Sequence, residues 1–446
     1  MQGDFFEGEL TSKKYISFIW PSVLMMLVLS LYYTIDSIFV ANLVGEEGLA
    51  AINIAYPVQG LMWGFAVMLA AGSSALVAII MGEGDAEKAN SRFSFTCAFA
   101  VGLGTLITLL LLACMTQLVN LLGATETLTE DCHIFLNIFV WGAPAAFLGV
   151  LMEYFIRVDG DPAFTILLYI SGGVVHLGLD ILLMGPLHMG LAGAAIANVC
   201  GLAITAFIGI LYFLFKDTRL RFSRFTVNWQ FIGHSFANGS PEFVNESAMG
   251  IMIFFYNLVV IRLAGEIGVA AVAVVLNLHY FFMSVHMGYQ AGSMPLISYY
   301  YGAKAYEKIN LVMRMTKTYI IISSVGIAAA FALAAPLLAR VYASPGTELY
   351  EMSVVGLRIV SVSLLTIGVN VFASGFFTCF GNGLISSLIA VSRGFIMLLI
   401  GLFALTHFFG MTGAWMALPF ADVTTLALSF GLMAKYRNRY HYRILG

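Results

Sequence analysis

Charge is scarce in this chain. Only 10% of its residues are Asp, Glu, Lys or Arg, against roughly 25% in a soluble globular domain. That excludes an ordinary soluble fold and gives no reason to expect a nucleic-acid partner. Cysteine is sparse as well. Cys97, Cys114, Cys132, Cys200 and Cys379 are scattered, and no two have metal-ligand spacing, so neither a disulfide framework nor a zinc site is indicated. No metal-ligand motif, nucleophile elbow or phosphate loop is present, which argues against an enzyme and against a bound cofactor. The first residues include Asp4, Glu7 and Glu9. With no small-residue cleavage site before the first long apolar run, they do not read as a signal peptide.

What the chain has instead is apolar length. It is 60% hydrophobic, in recurring runs of ~20 residues, each enough to cross ~30 Å of hydrocarbon as a helix. Twelve spans are expected, near 15–40, 50–80, 92–115, 131–157, 163–184, 190–215, 236–262, 269–300, 316–340, 352–377, 384–408 and 412–435. The fold class is therefore all-α integral membrane. The alternating loops differ in charge. Of the 21 basic residues, all but Arg262, Arg340 and Arg358 fall on the side that holds both termini, Arg393 included. By the positive-inside rule that side is cytoplasmic, and the expected location is the inner or plasma membrane. The polar connector 216–235, with Lys216, Asp217, Arg219, Arg221 and Arg224, reads as a cytoplasmic linker. A sharper reading makes it a lipid-headgroup contact. Oligomeric state is not written in the sequence, and a monomer is the default.

The chain also repeats itself, with an offset of 220 residues. Gly45-Glu46-Glu47-Gly48-Leu49-Ala50-Ala51 returns as Gly265-Glu266-Ile267-Gly268-Val269-Ala270-Ala271. Ala71-Gly72-Ser73 returns as Ala291-Gly292-Ser293, and Gly190, Gly193, Ala194 and Ala197 return as Gly410, Gly413, Ala414 and Ala417. Six spans fall in each half, so the lobes are drawn as residues 1–219 and 220–446. Parallel halves of a membrane protein, related by an axis along the membrane normal, point to an alternating-access transporter.

A charge at the bilayer centre is costly, so each ionisable residue inside a span calls for an explanation. Asp36, Glu153, Asp180, Glu246 and Asp422 are the carboxylates. His176 joins them, because it stands four residues before Asp180 and on the same helix face. Asp36 is either a structural group bonded to nearby Ser and Thr, or a carboxylate that exchanges a proton or cation during transport. Burial disfavours the charged form of a carboxyl, as a proton carrier requires. The repeat favours function: Asp36, His176, Asp180 and Asn198 have Tyr256, Ile396, Ile400 and Leu418 as their mates at the 220 offset, so this cluster is one-sided. If its members are close, they titrate as a unit. Glu246 is a candidate counter-charge for a cationic substrate or, equally, a helix-start carboxylate following Pro241. Glu153 and Arg157, four apart, suit an ion pair. Asp422, after Pro419, reads as structural. Trp63, Met283, Met287 and Tyr289 are candidate cavity liners, since Met and aromatics suit adaptable sites, though most such residues face lipid or core. Pro21, Pro57, Pro144 and Pro295 are candidate bending points.

The run from Pro21 to Val40 has Leu31-Tyr32 just before Asp36. With Gly45 to Ala51, Pro57, Gly82-Glu83-Gly84-Asp85-Ala86-Glu87-Lys88, Gly190 to Ala195, and above all Gly292-Ser293-Met294-Pro295-Leu296-Ile297-Ser298-Tyr299-Tyr300-Tyr301-Gly302, it resembles the multidrug and toxic compound extrusion (MATE) family of prokaryotic type. The resemblance spans nearly the whole chain. It implies two six-helix lobes around a central cavity, and export of lipophilic, often cationic compounds in exchange for H⁺ or Na⁺. It implies a coupling site in the first lobe at Asp36 and Asp180, with Ala194 and Asn198 on the sixth span. Here Asn198 replaces a usual Thr, and His176 a usual Asn. A protonated His would repel a metal cation, so H⁺ is favoured, with Na⁺ at Asp36 and Asp180 as the other choice. The carboxylate pair of the Na⁺-type branch is incomplete in the second lobe: Glu246 matches one member, and Asn370 and Ser374 stand in the tenth span. The runner-up function is a flippase for lipid-linked oligosaccharide, disfavoured by twelve spans and almost no intramembrane Arg beyond Arg358. A passive channel or receptor would need neither two lobes nor buried titratable groups.

Overall fold

The computed structural model describes residue 6 and residues 8–44 and 46–443, with side chains described except at 33–43, 46, 47, 49, 126, 127 and 249. Among the described residues there is no β-strand. The first half runs as α1 (Ser12–Leu43), α2 (Glu46–Gly82), α3 (Ala86–Ala113), the short α4 (Met115–Leu121), α5 (Glu126–Phe139), α6 (Ala143–Asp159), α7 (Pro162–Met184) and α8 (Gly190–Phe215). The second runs as α9 (Trp229–Gly302), α10 (Tyr306–Leu333), the short α11 (Ala335–Ala339), α12 (Glu348–Val360), α13 (Ile367–Thr378), α14 (Gly383–Val391) and α15 (Met397–Tyr436).

Nine of these stretches are long and apolar enough to cross a membrane among the described residues, and α12 with α13 makes a tenth, bent by 41°. α9 and the Gly383–Tyr436 stretch each count as two spans. Gly265 (φ 61°) breaks α9, and Gly410 (φ 55°) breaks α15. That gives the expected twelve. Between the expected spans the sequence leaves short connectors at 263–268 and 409–411. Helix continues through both, and the chain turns on a single glycine in each. Gly190, 220 residues before Gly410, also has a positive φ (53°), which a residue with a Cβ resists. Three residues on, a Cβ at Gly193 would come within 3.0 Å of the Leu183 Cβ, and one at Gly413 within 2.1 Å of the Leu405 carbonyl oxygen. The repeated Gly-x-x-Gly thus does one job twice: the first glycine reverses the chain, and the second admits the preceding helix.

Proline acts as expected only in part. Pro144 starts α6 just after the 3₁₀ turn Val140–Gly142, so the fourth span is broken there. Pro21, Pro57 and Pro295 lie inside continuous helices.

Packing divides the chain into two compact units, one built mainly from Val28–Gly239 and the other from Leu10–Leu27 with the chain from Ser240 onward. The repeat boundary at 219/220 counts spans, whereas this one follows contacts. The difference is the opening stretch of each half. In the first unit, the start of α9 crosses α2 so closely that a Cβ at Gly72 would lie 1.8 Å from the Ser235 carbonyl oxygen, and one at Gly239 1.8 Å from that of Met68. In the second unit, the start of α1 packs on the later part of α9. A Cβ at Gly288 would lie 2.4 Å from the Val23 Cα, and one at Gly292 3.2 Å from the Ile19 Cα. Tyr15 anchors that stretch through Thr316 at 2.6 Å. Residues 19 and 239 are mates in the repeat, as are 72 and 292. The Ala-Gly-Ser motif returns because it seats the same crossing in both units. Gly72→Ala is expected to cost about 1–3 kcal/mol by overpacking, read as a lower melting temperature of the purified protein, with Gly60→Ala as control, since no atom lies near its Cβ position.

Candidate functional site

α7 and α8 meet through glycine. A Cβ at Gly172 would sit 2.1 Å from the Thr205 Oγ1, and one at Gly201 2.9 Å from the Cβ of His176. This close approach buries the face of α7 that carries His176 and Asp180, which are 4% and 0% exposed. One helical turn separates them, and the His176 Nε2 lies 3.2 Å from the Asp180 Oδ2. The other ring nitrogen, Nδ1, is hydrogen-bonded to the Tyr32 hydroxyl of α1. The two rings also pack at 5.6 Å between centroids.

The imidazole is therefore a bridge between two helices. An ionised Asp180 facing Nε2 favours the proton on that nitrogen by its charge, which leaves Nδ1 to accept from Tyr32. If a proton arrives on Nδ1, Tyr32 must turn from donor to acceptor. Protonation of the pair is thereby felt on α1. Tyr32 is the member that residue-type reasoning passed over. It stood in the motif before Asp36, but its partnership with residue 176 lies 144 positions away and has no local signature.

The other predicted residues fall as follows. Asp36 is on α1, one turn beyond Tyr32, and its side chain lies outside the described residues. Ala194 is buried and Asn198 half-buried on α8. Trp63 is half-buried in the first unit, packed on the core formed around Phe93, Phe147 and Phe155. In the second unit, Met283, Met287 and Tyr289 are half-buried on α9. Tyr289 lies near Ser323, and Glu246 is half-buried near Glu242. Glu242 itself accepts from the Gln290 Nε2 at 2.9 Å. Glu153 and Arg157 do form an ion pair, buried, with the Tyr169 hydroxyl on the same carboxylate. Among the described residues no three His, Cys, Asp or Glu side chains are grouped to hold a metal ion.

Arg393 was counted with the cytoplasmic charges, although the expected span 384–408 encloses it. It lies in a π-helical turn, Ser392–Ile396, within a spanning stretch. Its Nη2 donates to the Asn245 Oδ1 at 3.1 Å, and its Nη1 lies 3.9 Å from the Met283 Sδ. A π turn inserts one residue and re-aims a side chain, and here it brings the guanidinium toward the opening stretch of the seventh span.

Two repeats of six spans, with titratable groups buried between helices, define a polytopic membrane protein of transporter class. The MatE family model matches the chain twice, over residues 21–182 and 241–403, starting 220 residues apart as the repeat requires. The chain belongs to the MATE family. It is similar to the multidrug export protein MepA of Staphylococcus haemolyticus, 24% identical over 98% of this chain and 96% of that one. The same export protein of Staphylococcus aureus is 23% identical over 94% and 92%. Among solved structures, an outward-facing multidrug resistance MATE family transporter superposes with a TM-score of 0.91 at 22% identity, over 98% of each chain. A transporter of the same superfamily from Pyrococcus furiosus, described as having a binding pocket of reversed polarity, gives 0.90 at 23%, again over 98% of each chain. At such identities the structures speak for the fold.

Proposed function

We propose that this protein is a cation-coupled antiporter of the plasma membrane that exports lipophilic or cationic compounds, with H⁺ as the coupling ion and both termini cytoplasmic. The observation that carries the coupling part is the Tyr32–His176–Asp180 bridge. Export of drug-like compounds is supported by the MepA relatives, and orientation by the charge bias of the loops.

The mechanism follows from the bridge. In one state Asp180 is ionised, His176 is neutral and Tyr32 donates to it. A proton entering the pair either neutralises Asp180, removing the partner that fixed the Nε2 tautomer, or puts a second N–H on His176 and reverses the Tyr32 bond. Both outcomes change how α1 sits on α7. Asp36, one turn further along α1, is the second carboxylate of the coupling site in this reading. A bound Na⁺ would instead need neutral His176 and several oxygen ligands, and the imidazole takes one of those places. In the second unit Met283, Met287, Tyr289 and Glu246 are proposed to contact the exported compound, with Glu246 as counter-charge, and in the first unit Trp63 is proposed as a cavity liner.

The experiment is efflux of a fluorescent lipophilic cation from proteoliposomes under ΔpH and ΔNa⁺ imposed separately. ΔpH alone is expected to drive it. Transport under ΔNa⁺ alone would overturn the proton assignment, and no transport under either would bring a flippase forward. Tyr32→Phe removes only the phenolic donor. It is expected to leave compound binding intact and to lower ΔpH-driven efflux about five- to tenfold, in the usual range for coupling between two sites. Its pH–rate profile should shift as well, because the phenol no longer biases the imidazole.

A further inference from the structure

The second half is not without a polar centre of its own. Ser363 lies in the 3₁₀ turn Ser363–Leu365 that breaks the tenth span. Its hydroxyl donates to the Asp422 Oδ2. The same hydroxyl is 3.0 Å from the His279 Nε2. All three are buried, at 0%, 1% and 5% exposure for Ser363, Asp422 and His279. They come from three different spans of one compact unit. Their mates in the first half are Ala143, Leu202 and Gln59, so this trio does not mirror the His176 bridge. The Asp422 main-chain carbonyl is held by the Asn370 Nδ2 at 2.8 Å, and Asn370 in turn by Ser429 at 2.9 Å, which fixes where the carboxylate sits. Its second oxygen, Oδ1, is buried with no hydrogen-bond partner among the described residues. Buried polar atoms are rarely left so, and irregular backbone at membrane depth is kept where it lines something polar.

The geometry points to Asp422 as a second protonation site, which exchanges its proton with His279 through the Ser363 hydroxyl. The line of three groups is complete for such a transfer. With Asp422 protonated, its proton passes to the Ser363 Oγ while the Ser363 proton passes to the His279 Nε2. The products are a carboxylate, an intact serine and an imidazolium, and no atom or charge is left over. With Asp422 ionised, the line runs the other way: His279 donates to Ser363, and Ser363 to the carboxylate. The groups facing this centre are the Tyr256 phenol, whose proton bonds the Ala414 carbonyl at 3.1 Å and which stands where the first half has Asp36, and Arg393 of the eleventh span. His286, two turns along α9, faces His279 and bonds Ser324 at 2.9 Å. A single carboxylate in line with one hydroxyl and one ring nitrogen is a proton path, where a metal cation would ask for a cage of oxygens. A role for this proton in transport rests on the antiport reading above.

The test is an infrared pH titration of the full-length protein in nanodiscs, reading the carbonyl band of protonated carboxyls. Asp422→Asn is expected to remove one such band that titrates in the wild type. Ser363→Ala is expected to keep the band, move its midpoint and slow its exchange with deuterated solvent about tenfold, the worth of roughly one hydrogen bond to a charged group. His279→Gln should act in the same direction. A spectrum unchanged by Asp422→Asn overturns the proposal, as does a band that Na⁺ displaces at constant pH. The two readings fail separately. If the wild type shows no ΔpH-driven efflux but the Asp422 band is present, antiport falls and the site stands. If efflux is driven by ΔpH and the band is absent, the reverse holds.

Discussion

Replacing Asp180 by asparagine is expected to collapse ΔpH-driven efflux to the passive leak, while the protein still folds and still binds its compound. Asparagine keeps the size of the side chain, so the α7–α8 contact, which rests on Gly172 and Gly201, survives. It cannot gain or lose a proton. The coupling between ion and compound is then lost outright, on the order of a hundredfold in driven over passive flux, the upper end of what coupling between two sites provides. His176→Asn is the informative companion. It removes the imidazole that separates Asp180 from Tyr32 and restores the residue that the MATE resemblance expects there. The expected result is weaker proton coupling together with a measurable response to ΔNa⁺. Full ΔpH-driven efflux in Asp180→Asn would remove the coupling role from this centre and leave Asp422 to carry it.

The largest stability effect is expected at the Glu153–Arg157 pair of α6. Both side chains are almost wholly buried, at 4% and 1% exposure, and the guanidinium lies over the Tyr154 ring at 4.7 Å. Arg157→Met leaves the Glu153 carboxylate without its counter-charge, and Glu153→Met strands the guanidinium in the same way. Breaking a buried pair from one side costs about 3–5 kcal/mol, whereas replacing both partners by apolar groups is often neutral. The double variant, Met at both positions, is therefore expected to recover most of the stability that either single change loses. Thermal unfolding of the four proteins gives the cycle directly. Additive losses in the double variant would show that the pair does not act as a unit.

The fold was legible to the extent that it depends on composition and period. Apolar runs of sufficient length dictate helices, because every backbone N–H and C=O must be satisfied inside the span. The offset of 220 divides those helices into two sets of six. The repeated glycines were visible as a pattern, but their separate duties were not. Gly190 and Gly410 turn the chain, whereas Gly72 and Gly292 receive another helix, and a sequence shows only that all four lack a side chain. The His176–Asp180 pair could be read because four residues make one helical turn. Tyr32 could not be paired with it, nor Ser363 with Asp422 and His279, since those partners are joined across helices. Arg393 was counted with the cytoplasmic charges although the span drawn as 384–408 encloses it, and the π turn that carries it, Ser392–Ile396, has no clear mark in the sequence.

The sequence by itself therefore determined what local physics controls: twelve apolar helices, their division into two repeats, and the helix face that His176 and Asp180 share. The tertiary structure decided what distance along the chain conceals. It chose which helices approach through glycine, which hydroxyl reaches each imidazole, and which buried carboxylate lies at the end of a hydrogen-bonded line. The physical reason is the same in each case. Helix formation is settled within a few residues by backbone hydrogen bonding, while a buried polar group finds its partner only when side chains from several spans close-pack around it.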